Sequence, residues 1–127
     1  MNYRNILLID DDGDDHEIFM AALAKVSPAV VCTGYTDASK ALHELEQGRI
    51  ATDVIFLDLN MPIMNGQQFL HEIKKRLNLK DIPVVIFSTS SHPATIQLTK
   101  DMGAMDFITK PDKFDELIRI LKSFLGC

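Results

Sequence analysis

Tryptophan is absent from the 127 residues, and cysteine occurs only twice, as Cys32 and Cys127. One lies in an apolar run and the other is the last residue, which matches neither a metal spacing nor a disulfide framework. Cys32 reads as core and Cys127 as incidental. No apolar run approaches the roughly 20 residues needed to cross a bilayer, so membrane insertion is not expected. Nor does the start resemble a signal peptide, since Met1 to Asp12 carries one basic residue and a short apolar run that ends in three aspartates. A cytoplasmic location follows as the expectation. Basic side chains are the minority, 13 Lys and Arg against 18 Asp and Glu for a formal charge of -5, which disfavours direct binding to nucleic acid. Neither a G-x-x-x-x-G-K-[ST] loop nor a G-x-G-x-x-G turn is present to cradle a nucleotide.

What is present is the composition of one ordinary globular unit, 46% hydrophobic and 24% charged, expected to fill residues 1–127 with no output domain attached. Four continuous apolar runs, Ile6 to Ile9, Ala29 to Cys32, Val54 to Leu57 and Val84 to Phe87, are followed by a shorter one at Phe107 and Ile108. Unbroken runs of Val, Ile and Leu suit strands covered on both faces, and therefore a parallel sheet whose last strand is an edge.

Helical periods fill the gaps. The clearest places Phe114, Leu117, Ile118, Leu121 and Leu125 on one face behind Asp112 as N-cap. Weaker ones are Ile18, Ala22, Leu23 and Val26; Ala38, Ala41, Leu42 and Leu45 behind Asp37; and Phe69, Leu70, Ile73 and Leu77. Pro93 suits the first turn of a fourth helix, while Gly48 and Gly103 are placed to end helices. Five strands alternating with five helices give an α/β, doubly wound sheet, most simply of the flavodoxin-like order 2-1-3-4-5.

Sites in such sheets form at the carboxyl ends of the strands. The residues there are Asp10, Asp11 and Asp12, then Asp58, then Ser88 and Thr89, and finally Thr109 and Lys110. Carboxylates ~4 Å apart repel by about 4 kcal/mol at an effective dielectric near 20, so the cluster calls for a cation. Oxygen ligands with room for water suit Mg²⁺ better than Zn²⁺. A metal and a lysine beside a carboxylate suit phosphoryl chemistry, with Asp58 as the natural nucleophile.

The motifs Ile6-Leu-Leu-Ile-Asp-Asp-Asp12, Asp58-Leu-Asn-Met-Pro62 with Asn65-Gly66, Ser88-Thr89 and Lys110-Pro111 resemble, in this order, the receiver domains of two-component response regulators. The resemblance covers essentially the whole chain. It implies that Asp58 is the phosphoacceptor for a phosphohistidine on a sensor histidine kinase or histidine phosphotransfer protein. It also implies that Asp11, Asp58 and the backbone carbonyl of Asn60 hold Mg²⁺ directly, with Asp10 acting mainly through water. Lys110 would pair with the phosphoryl group, next to a Lys110–Pro111 bond that is typically cis in the family. Ser88 would donate its hydroxyl to the modified Asp58, with the rotamer of Phe107 following. The switch face would be the fourth helix, fifth strand and fifth helix, roughly Pro93 to Leu125. The downstream protein, and whether phosphorylation drives a homodimer through helices 4 and 5, stay open.

Thr89 departs from the commoner smaller residue, leaving phosphoryl lifetime open, and Asp112 and Lys113 stand where an apolar residue is usual. Asp12, Asp14, Asp15 and Glu17 read as favourable charge at a helix N-terminus. His16, His43, His71 and His92 read as surface or helix-face residues. The protein is thus expected to be a switch rather than an enzyme. A phosphohydrolase of the haloacid dehalogenase type would need a second Asp where Asn60 stands. A degenerate receiver that serves only as a scaffold would not need the complete acidic, hydroxyl and lysine set.

Overall fold

The computed structural model describes residues 3–126, so Cys127 lies outside the described residues. Ten elements alternate: β1 (Asn5–Ile9), α1 (Gly13–Val26), β2 (Val31–Tyr35), α2 (Ala38–Glu46), β3 (Val54–Leu57), α3 (Gly66–Lys74), β4 (Val84–Ser88), α4 (Pro93–Asp101), β5 (Asp106–Thr109) and α5 (Phe114–Leu125). The strands are all parallel, in the order β2-β1-β3-β4-β5. Among the described residues no helix is long and apolar enough to cross a membrane.

Alternate residues of the inner strands feed two cores, one on each face of the sheet. Leu7, Ile9, Ile55, Leu57, Val84 and Ile86 pack with α2 and α3. Ile6, Leu8, Val54, Phe56, Val85 and Phe87 pack with α1 and α5. Phe19, Phe56 and Phe87 meet edge to face with centroids 5.2, 5.7 and 6.0 Å apart, a geometry that aromatic quadrupoles favour. Burial from two sides is what permits the unbroken apolar runs.

Helix ends follow local chemistry. The Asp37 side chain caps α2 by accepting from Ser39 N–H at 3.0 Å and from Lys40 N–H at 3.2 Å. Pro93 opens α4, and Gly48 and Gly103 follow α2 and α4 with φ of 71° and 103°. Asn65 and Gln68 form a reciprocal capping box on α3, each side chain bonding the other's backbone N–H at 2.9 Å.

Some expectations need correction. β2 begins at Val31 and continues through Thr33 and Gly34, because it is an edge strand as well as β5 and tolerates polar residues; Val31 is 58% exposed. Cys32 is only half-buried, although burial still pushes its thiol up to about 12. Ile18 and Leu77 are exposed, the latter beyond the end of α3. The N-cap of α5 is Lys113 rather than Asp112 and makes no side-chain cap bond; Asp115 and Glu116 in the first turn supply the favourable charge instead. Ile63, in the loop after β3, adopts φ 67° while 95% exposed, a left-handed conformation that β-branched residues rarely take.

Candidate functional site

The register of the sheet sets the site. Ile9 pairs with Leu57 across β1 and β3, so Asp10 and Asp58, the next residues, leave the sheet side by side. The backbone ladder continues one step beyond the strands: Asp58 N–H donates to Ile9 C=O at 2.9 Å, and Lys110 N–H to Ser88 C=O at 2.8 Å. Asp10 and Asp58 therefore start from fixed backbone positions at the carboxyl ends of the central strands β1 and β3, and Lys110 from one at the end of the edge strand β5.

Asp10, Asp11 and Asp58 each present a carboxylate oxygen within 4.8 Å of the others. Asp10 and Asp58 are buried, 1% and 6% exposed, whereas Asp11 is exposed. Lys110 Nζ lies 2.6 Å from Asp10 Oδ2, 2.7 Å from Asp15 Oδ2 and 3.7 Å from Asp58 Oδ2. The Lys110 ammonium also stands 5.8 Å from the centre of the Phe87 ring. Both oxygens of Asp10 are engaged, since Oδ1 accepts from Asp12 N–H at 3.0 Å. Asp11 and Asp58 are left with open acceptor capacity.

Electrostatics follow from this crowding. Burial raises the carboxyl of Asp58 above the ordinary carboxylate range; Lys110 pulls it down, Asp10 pushes it up, and the backbone N–H groups of Asn60 and Leu59 pull it down. Burial alone would lower the Lys110 ammonium, but the hydrogen bonds it donates to Asp10 and Asp15 and the charges of Asp10 and Asp58 outweigh it and hold it above its ordinary value. One ammonium faces three carboxylates, and Asp11 adds a fourth beside Asp10 and Asp58. The donor set is entirely oxygen, with no His or Cys, and it carries excess negative charge. Those are the properties of a site for a hard divalent cation with retained water, such as Mg²⁺.

Ser88 is fully buried at the end of β4, where its Oγ accepts weakly from Ser90 N–H at 3.4 Å. Phe107 lies half-buried on β5 against the core shared with α2 and α3. Gly66 matters through close approach: a Cβ there would collide with the carbonyl oxygen of Asp58 and stand 2.8 Å from Leu59 Cα. Both obstacles are backbone and cannot swing aside. Gly66→Ala is expected to cost about 1–3 kcal/mol by overpacking and to displace the loop that carries Asp58. Urea denaturation checks the first effect, and a fall in Mg²⁺ affinity checks the second.

Two residues read as bland from the sequence belong to the site. Asp15 is a direct partner of Lys110, 95 positions away, and its place in the first turn of α1 gave no local signal of that contact. His16 is buried, and its Nε2–H donates to the Asp10 carbonyl at 2.6 Å. It shares a stripe with Phe19 and Leu23, so its spacing matched the inward face of α1. His16 therefore fastens the first turn of α1 to the end of β1. Among the described residues no peptide bond is cis, so Lys110–Pro111 is trans, the isomer an X–Pro bond favours by about 0.5–1 kcal/mol.

The response regulator receiver domain model matches residues 6–122. The two-component response regulator ORR8 of Oryza sativa subsp. indica is 34% identical over 122 residues, covering 96% of this chain and 98% of that protein. A protein-glutamate methylesterase/protein-glutamine glutaminase of Treponema denticola is 54% identical over 74 residues, 56% of this chain but 18% of that protein. Among solved structures, the phosphorylated cyanobacterial phytochrome response regulator RcpA superimposes with a TM-score of 0.87 at 31% identity, covering 96% of this chain and 91% of that one. The Mn²⁺-bound response regulator Rcp1 gives 0.85 at 27% identity, covering 96% and 94%. The chain belongs to the receiver domains of two-component response regulators, and its sheet is the flavodoxin-like arrangement of that family.

Proposed function

We propose that this receiver domain works as a phosphoryl-accepting switch in which Asp58 takes the phosphoryl group from a phosphohistidine on a sensor histidine kinase or phosphotransfer protein. The observation that carries the reading is the convergence of Asp10, Asp11 and Asp58 oxygens within 4.8 Å, beside a lysine ammonium 3.7 Å from Asp58. Similarity to a response regulator described in its phosphorylated form, and to one described with Mn²⁺ bound, supports it.

In the proposed step an Asp58 carboxylate oxygen supplies an electron pair to phosphorus. The P–N bond to the donor imidazole breaks, and its electron pair leaves with the ring. Lys110 offsets the negative charge that gathers on the phosphoryl oxygens. Asp11 and Asp58, with the backbone carbonyl of Asn60, would hold Mg²⁺, and Asp10 would act through water because its own oxygens are occupied. Bound Mg²⁺ would neutralise the carboxylates and the incoming group. Ser88, buried at the neighbouring strand end, would donate its hydroxyl to the modified Asp58. That shift, transmitted to Phe107, would bias the face formed by α4, β5 and α5.

Incubation with Mg²⁺ and acetyl phosphate should add the mass of one phosphoryl group to the wild-type chain and none to Asp58→Asn. An unmodified wild type under conditions that saturate the metal, or equal incorporation by both proteins, contradicts the proposal.

A further inference from the structure

The two short bonds of the Lys110 ammonium do not point at the proposed acceptor. They run to Asp10 and Asp15, at 2.6 and 2.7 Å, and leave Asp58 at 3.7 Å. An ammonium has three donors, and two are already committed at charge-assisted distances. Asp15 is held in place for this. It lies in the first turn of α1, which Asp12 caps by accepting from Asp14 N–H at 2.9 Å and which His16 fastens to the Asp10 carbonyl.

We propose that Asp15 is a resting-state anchor for Lys110, competing for its ammonium with the phosphoryl group on Asp58 and thereby loosening the hold on the phosphorylated state. The proposal rests on the reading of Asp58 as acceptor. A phosphoryl group places new negative charge on the Asp58 side of the ammonium, so one of the short bonds must lengthen as Nζ moves toward it. The two partners differ in what release costs them. The Asp10 side chain is 1% exposed and would be left as a buried unpaired charge, whereas that of Asp15 is 34% exposed and can be taken up by water. Asp15 is the partner that gives way, and the strength of its bond is subtracted from the grip of Lys110 on phosphoryl. Asp15 is a positioning residue in this scheme, acting on phosphoryl through Lys110.

Beryllofluoride, which mimics an acyl phosphate, reads this directly at saturating Mg²⁺, with bound fluoride followed by ¹⁹F NMR. Asp15→Asn keeps a neutral acceptor but removes the charge, and should bind beryllofluoride about three- to tenfold more tightly, the range of a partly exposed charge-assisted pair. Asp15→Glu restores the charge and should return toward wild type. Equal or weaker binding by Asp15→Asn means that Asp15 merely clamps α1 to the loop after β5 and overturns the inference. Tighter binding by Asp15→Glu as well would remove charge as the cause and overturn it too. An absence of bound fluoride in the wild type would instead remove Asp58 as the acceptor.

Discussion

Lys110→Ala is expected to lower the stability of the metal-free protein by about 3–5 kcal/mol, the cost of removing one partner from a buried charged pair. Its ammonium is the group that directly neutralises Asp10 and the nearest cation to Asp58, which are 1% and 6% exposed. Without it those carboxylates face each other and Asp11 with no counter-charge, and Asp10 retains only the Asp12 N–H. A domain of this size is typically stable by about 5–15 kcal/mol, so the variant should be folded only marginally. Added Mg²⁺ should then stabilise Lys110→Ala more than the wild type, because the variant site carries one more uncompensated negative charge. Thermal melts followed by circular dichroism, with and without Mg²⁺, give both comparisons. An unchanged midpoint in the absence of metal would mean that Lys110 is a solvated lysine.

The opposite sign is expected at the acceptor. Asp58→Asn keeps the shape of the side chain and deletes a charge that the metal-free site disfavours, so it should raise stability at neutral pH by about 1–2 kcal/mol. The sign follows from the raised carboxyl of Asp58. A group held above its ordinary value in the folded state favours the protonated form there. Its penalty is therefore absent below the ordinary carboxylate range and sets in as pH rises through the folded value. The gain of Asp58→Asn should accordingly be present at pH 7 and vanish in acid. Mg²⁺ should reverse the ranking at neutral pH, since the wild type has the extra ligand and charge. Urea titrations at two pH values and two Mg²⁺ concentrations test all three statements, and a variant less stable than wild type in metal-free buffer at pH 7 would refute them.

These opposed effects arise from chemistry that was largely visible in the sequence. Val54 to Leu57 and Val84 to Phe87 are unbroken because both sheet faces are covered, and the polar residue after each run marks where the chain leaves the core. Asp10, Asp58 and Lys110 could be brought together from that pattern alone. β2 was harder to delimit because the apolar run Ala29 to Cys32 overlaps only its first two residues, and an edge strand with one unpaired side continues into the polar Thr33 and Gly34. Asp15 and His16 were hidden for another reason. A carboxylate in the first turn of a helix is favoured by the helix dipole whatever else it touches, so the local explanation of Asp15 looked complete while its contact with a residue 95 positions away was not encoded nearby. His16 is polar by type yet stands on the inward stripe of α1, its Nε2 bonded to a backbone carbonyl. The left-handed Ile63 leaves no trace in hydropathy, and nothing in its sequence neighbourhood marks it.

The most direct measurement is to locate the modification chemically. Reducing the phosphorylated protein with borohydride converts an acyl phosphate on aspartate to homoserine, which peptide sequencing by mass spectrometry assigns to a position. Homoserine at residue 58 and at no other aspartate is the predicted result. Its appearance at Asp10 or Asp11, or a phosphorylated chain that yields none, would contradict the central role given to Asp58.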